Sequence, residues 1–142
     1  MQDNPDNYPK GYLQQILADV KTIAVVGASP RADRDSYLTM QTLLNHHYKV
    51  YPVNPREAGK QILGQYCYAT LSDIEKPVDM VDIFRSSDAA LDITLEALDI
   101  GASVVWMQLG IVNHVACHIA KEAGLRVVMD RCPKIELEKT LI

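Results

Sequence analysis

Residues 22–37, TIAVVGASPRADRDSY, combine the residue types that hold a phosphate: an apolar run, a tight Gly27-Ala28-Ser29-Pro30 loop, and then Arg31 and Arg34. A glycine turn between a strand and a helix directs backbone N–H groups and a helix N-terminus at one place, which suits phosphate or pyrophosphate. Arg56, Arg85 and Arg131 each follow a further apolar run. A lone arginine at the end of an element is ordinarily solvated. Five arginines gathered at one end of a sheet would suit an anion with more than one phosphate.

Other candidate chemistry is thinner. Cys132 stands beside Arg131, whose guanidinium would favour the thiolate, yet no histidine is placed as its base. A buried structural cysteine is the plainer reading. His114, Cys117 and His118 form an H-x-x-C-H run, and histidines four apart on a helix can share a metal. The glutamate of a zincin helix is missing, so a solvated helix start is expected. Asp79 and Asp82 fall on opposite faces of one strand and cannot act as a pair. One of them is expected to bond a neighbouring loop, and Trp106 is expected in the core.

These residues need elements to position them. Residues 11–20 carry apolar side chains at helical spacing, and the all-apolar run 23–26 reads as a parallel strand buried on both faces, placed at the centre of its sheet. A helix capped by Asp35 or Ser36 should reach about residue 47, burying Tyr37, Met40, Leu43 and Leu44. The second strand is read at 49–53, an edge strand at 67–69, and the third strand at 78–84. A helix capped by Ser87 over 88–100, a strand over 103–107, an Asn113-capped helix with Val115, Ala116, Ile119 and Ala120 inward, and a strand over 126–129 complete the alternation. The tail, 132–142, reads as a docked helix. The fold class is therefore α/β: a Rossmann-like three-layer fold with a mostly parallel five-stranded sheet and helices on both faces.

At 142 residues, 48% hydrophobic and 23% charged, the chain fits one domain, 1–142, with a core at about 22–135. A net charge of -4 removes the general attraction to polynucleotide, so no nucleic-acid partner is expected. The polar start MQDNPDNYPKGY lacks the apolar core of a signal peptide, and no membrane-spanning run follows. A cytoplasmic protein without a membrane partner is the expectation. Three cysteines without C-x-x-C spacing read as reduced thiols.

Ligands of open α/β sheets sit at the carboxyl ends of the strands. A nicotinamide dinucleotide would call for G-x-G-x-x-G and an acidic residue after the second strand. Here Gly27 stands without the later glycines, and Val53-Asn54-Pro55-Arg56 ends the second strand without a carboxylate. NAD is disfavoured, whereas an arginine there suits a phosphorylated ribose, as in NADP or coenzyme A.

The ordered segments IAVVGASP, VYPVNP with GK and ILG behind it, PVDMVDIFR, GASVVWMQLGI and AGLRVVMDRCPKI resemble the stand-alone coenzyme A-binding domain family. More distantly they are similar to the N-terminal domain of the succinyl-CoA synthetase α subunit. The resemblance spans about residues 22–135. It implies coenzyme A or an acyl-CoA as the small-molecule ligand, with the pyrophosphate on Gly27, Ala28 and Ser29 and with Pro30 and Arg34 on the same side. Val53, Asn54 and Pro55 would flank the adenosine, and Arg56 or Lys60 would meet the 3′-phosphate. Phe84, Arg85 and Ser86 would line the adenine side, and Met107 and Gln108 the route of the pantetheine arm. The synthetase's phosphorylated histidine and nucleotide-grasp machinery lie beyond the resembling region, so binding is implied without ligase or transferase chemistry. The alternatives are an NADP-binding oxidoreductase-type domain and a ligand-sensing regulatory module.

Overall fold

The computed structural model describes residues 8–139. In chain order the elements are α1 (Tyr12–Asp19), β1 (Thr22–Val26), α2 (Asp35–Asn45), β2 (Lys49–Val53), β3 (Gln61–Ile62), β4 (Gln65–Tyr66), β5 (Met80–Ile83), α3 (Ala90–Asp99), β6 (Val104–Met107), α4 (His114–Glu122), β7 (Arg126–Val128) and α5 (Pro133–Lys139). Short 3-10 turns lie at Pro55–Glu57 and Leu71–Asp73.

Five strands form one sheet in the order β2-β1-β5-β6-β7, every pair parallel. Their side chains are buried on both faces, as the unbroken apolar runs require. Ile23, Val25, Met80, Val104, Trp106 and Val128 pack under α1, α2 and α5. Ala24, Val26, Val81, Ile83, Val105, Met107 and Val127 pack under α3 and α4. The three-layer α/β reading therefore holds. The first strand is interior but not central, because β5 takes the middle position. Strand order reverses between β1 and β5, which places the switch point, where such sheets bind ligands, at the ends of those two strands.

Helix faces differ from the expected ones where polar residues hide the stripe. In α2 the inward side chains are Ser36, Thr39, Met40 and Leu43, while Tyr37 and Leu44 are only partly buried. Its N-cap is Arg34, which makes no side-chain capping bond, rather than Asp35 or Ser36. In α4 the small residues Ala116, Cys117 and Ala120 face the sheet and Val115 is turned to solvent. Asn113 does cap α4, its side chain accepting from Ala116 N–H at 2.9 Å. Ser87 does not cap α3. Its hydroxyl accepts from Val112 N–H at 3.0 Å, tying two strand-end loops together, and Ser86 serves the turn before α3 by accepting from Ala89 N–H at 3.2 Å.

Both edges of the sheet are closed. The expected edge strand at 67–69 is reduced to a single parallel bridge between Tyr68 and Val53, preceded by the β3–β4 hairpin, which is turned at Leu63 and Gly64 with positive φ at both. Tyr68 N–H donates to Pro52 C=O at 2.9 Å and thereby covers β2. At the other edge, Tyr12 hydroxyl donates to Val127 C=O at 3.2 Å, and Met129 N–H donates to the Tyr8 hydroxyl at 2.5 Å. Asp79 bonds a neighbouring loop as expected, accepting from Lys21 N–H at 2.8 Å and Thr22 N–H at 3.2 Å. Trp106 is fully buried and donates through Nε1 to Arg131 C=O at 2.9 Å.

Candidate functional site

The carboxyl ends of β1, β2, β5 and β6 bring four loops together around Gly27. Its φ is +94°, and a Cβ there would lie 3.0 Å from the Phe84 carbonyl oxygen and 3.1 Å from Arg85 Cδ. Only glycine lets the β1 loop lie against the end of β5 in this way. Asn54 holds the next loop in place: its Nδ2 donates to Ala28 C=O at 2.8 Å and its Oδ1 accepts from Arg56 N–H at 2.9 Å.

Strand alternation divides the site in two. Phe84 and Gln108 continue the side-chain direction of Asp82 and Trp106, towards α2, whereas Arg85 faces the α3 side. A cavity of about 280 Å³ on the α2 side is lined by Gly27, Ser29, Arg34, Asp35, Ser36, Phe84 and Gln108. A wider cleft of about 440 Å³ is lined by Gly27, Asn54, Pro55, Arg56 and Arg85. Gly27 belongs to both. A third cavity, about 160 Å³, adjoins the cleft through Pro55 and Arg85 and is walled by Val26, Val53, Ala69, Thr70, Leu71, Ile93 and Glu96.

Three of the five arginines meet here. Arg34, Arg56 and Arg85 line the cavities and form no ion pair among the described residues. Arg31 pairs with Asp33 at 3.4 Å, and Arg131 lies 5.3 Å from the centre of the Tyr8 ring, away from the cleft. Lys60 pairs with Glu57 at 3.6 Å and lines none of the three cavities.

The β1 loop offers fewer free donors than its glycine turn suggests. Gly27 and Ala28 N–H both donate to Val53 C=O, at 2.9 and 3.3 Å, and the Ser29 hydroxyl accepts from Arg31 N–H at 3.1 Å. The Ser29 N–H and the first turn of α2, uncapped by any side chain, supply the remaining donors. Gln108, only 5% exposed, has an Oε1 without a hydrogen-bond partner in the wall of the first cavity. Ala28 and Met107 are fully buried, Val53 is buried along one wall of the third cavity, and Pro30 and Ser86 are exposed outside all three cavities.

Sequence reasoning missed Ser36, which faces the first cavity, and Glu96, which faces the third. Burial pushes the Glu96 carboxyl up, Asp92 and Asp99 add to the rise, and a bond from Leu71 N–H opposes it. Cys132 is buried, with its thiol 3.7 Å from the Thr39 hydroxyl. Cys117 faces the core, unlike the exposed His114 and His118, and no group of three or more metal-ligating side chains occurs among the described residues. No helix among them is long and apolar enough to cross a membrane.

A family model described as a CoA binding domain matches residues 21–138. The chain belongs to the coenzyme A-binding domain family. A relative within reach of full length is the uncharacterized protein YneT of Bacillus subtilis, 37% identical over 129 residues that cover 91% of this chain and 94% of that protein. The structure of a hypothetical protein from Pyrococcus horikoshii superposes with a TM-score of 0.89 at 38% identity, covering 100% of both chains. An ADP-forming acetate–CoA ligase of Methanocaldococcus jannaschii is 30% identical over 74 residues, 52% of this chain but only 10% of the ligase. The chain thus spans about a tenth of the length of that ligase.

Proposed function

We propose that this CoA-binding domain holds coenzyme A, or an acyl derivative of it, noncovalently across the carboxyl end of its sheet. The observation that carries the reading is the placement of Arg34, Arg56 and Arg85, all without an ion-pair partner among the described residues, around the Gly27 turn. The pyrophosphate meets Ser29 N–H and the first turn of α2, beside Arg34. Asp35 on the same rim tempers that positive charge. Arg56 takes the 3′-phosphate, since Lys60 is drawn to Glu57 outside the cleft. The pantetheine arm runs past Phe84 and Gln108, which line the same cavity. Asn54 positions the two loops through Ala28 C=O and Arg56 N–H. This reading includes no catalytic step, and Cys132 is buried with its thiol 3.7 Å from the Thr39 hydroxyl.

Thermal unfolding with coenzyme A, dephospho-coenzyme A, acetyl-coenzyme A, NADP and ATP tests it. A ligand at a hundred times its dissociation constant adds about 2.7 kcal/mol, and each kcal/mol moves Tm by roughly 2–4 °C in a chain of this size. Coenzyme A is expected to stabilise more than its dephospho form, and Arg56→Glu should erase that difference. A shift with NADP and none with coenzyme A sinks the proposal.

A further inference from the structure

The 160 Å³ cavity beside the arginine cleft has five apolar wall residues, Val26, Val53, Ala69, Leu71 and Ile93, and a single carboxylate, Glu96. It opens onto the cleft that holds Arg56 through the shared Pro55 and Arg85. A group lodged in it is therefore one link away from a phosphorylated ribose at Arg56. A largely apolar chamber, with the Thr70 hydroxyl and Arg85 in its wall beside the one carboxylate, suits a heteroaromatic base, whose faces need no hydrogen bonds and whose edge needs few.

Glu96 lies where α3 packs against the turn at Leu71–Asp73, with the Leu71 backbone N–H on the side that favours its ionised form, and a carboxylate there has acceptor capacity for a further donor. Its burial and the nearby Asp92 and Asp99 both favour a partner that brings a donor.

We propose that Glu96 is the residue that reads the base, accepting a hydrogen bond from the exocyclic amino group of an adenine lodged in this cavity. The inference rests on the coenzyme A reading above and extends it to a specificity-determining side chain. Hypoxanthine places a carbonyl where adenine has its amino group, so the same carboxylate meets an acceptor and repels it.

Titration calorimetry with adenosine 3′,5′-bisphosphate and inosine 3′,5′-bisphosphate tests this, with coenzyme A titrated into the same protein. The protein should prefer the adenine compound by about tenfold or more, the worth of one buried hydrogen bond with a charged partner. Glu96→Gln retains an acceptor for Leu71 N–H but presents an amide to the base, and the preference should fall towards one or invert. Asp92→Asn, the same change of charge on α3 outside the cavity, should leave the preference intact. Equal binding of the two bisphosphates, or an unchanged ratio in Glu96→Gln, overturns the assignment while coenzyme A binding stands. Loss of the preference in Asp92→Asn as well would reduce it to a general charge effect and overturn it too. Absence of coenzyme A binding in the unaltered protein removes the parent reading and this one together.

Discussion

Asp82 occupies the middle of the central strand, flanked in register by Val25 and Trp106, fully buried and with both carboxylate oxygens unpartnered. Burial holds its carboxyl well above the usual range, so the protonated form is the one the fold accommodates. The consequence for stability has a definite sign. As pH rises past the ordinary carboxylate value of about 4, the unfolded chain releases this proton while the folded chain keeps it. The folded state then binds more protons, and stability falls with rising pH until the folded group itself ionises. Asp82→Asn removes that linkage. Its stability relative to the parent protein should grow by about 1.4 kcal/mol per pH unit across that window, measured by urea unfolding at a series of pH values. Parallel stability curves would show that Asp82 is not the group responsible.

Among the elements, α4 shows how a cap can serve a site as well as a helix. Asn113 accepts from Ala116 N–H and its Nδ2 donates to Ser87 C=O at 2.9 Å, while Ser87 hydroxyl accepts from Val112 N–H. One side chain thus starts the helix and pins the loop after β6 to the loop after β5. Asn113→Ala should lower stability by about 2 kcal/mol, and Asn113→Ser should recover roughly half by restoring the cap without the tie. Equal losses in the two variants, read from chemical unfolding, would mean that the cap contributes nothing. This capping residue was legible in the sequence because Asn before an apolar run has a local cause. Ser36 and Thr39 were not, since a polar residue on a buried stripe breaks the period that reveals the stripe. Glu96 was invisible for another reason: a mid-helix glutamate gains its meaning from Leu71 and the cavity, which only the tertiary fold brings to it.

For the whole molecule, the period of the apolar runs made the layers and the parallel sheet readable, but the place of β5 at the centre depends on a crossover that no local pattern records. The same holds for the arginines, of which Arg131 turned out to lie against Tyr8 rather than in the cleft. The edges have their own effect: Tyr8, Tyr12 and Tyr68 engage Met129 N–H, Val127 C=O and Pro52 C=O, groups that a further strand would use, which disfavours growth of the sheet by strand addition. The shared position of Gly27 in two cavities reaches further. A ligand that bends over this glycine is bivalent, its two halves anchored on separate walls and joined by a short linker, so the second half binds at an effective concentration in the millimolar range or above. Adenosine 3′,5′-bisphosphate and phosphopantetheine added together should therefore each bind about 10²–10⁴-fold more weakly than coenzyme A, as competition titration would show. Affinity equal to that of coenzyme A in either fragment alone would mean that one wall does all the holding. With the expected gap, the linkage across Gly27 would let the proposed site tell intact coenzyme A from its breakdown products.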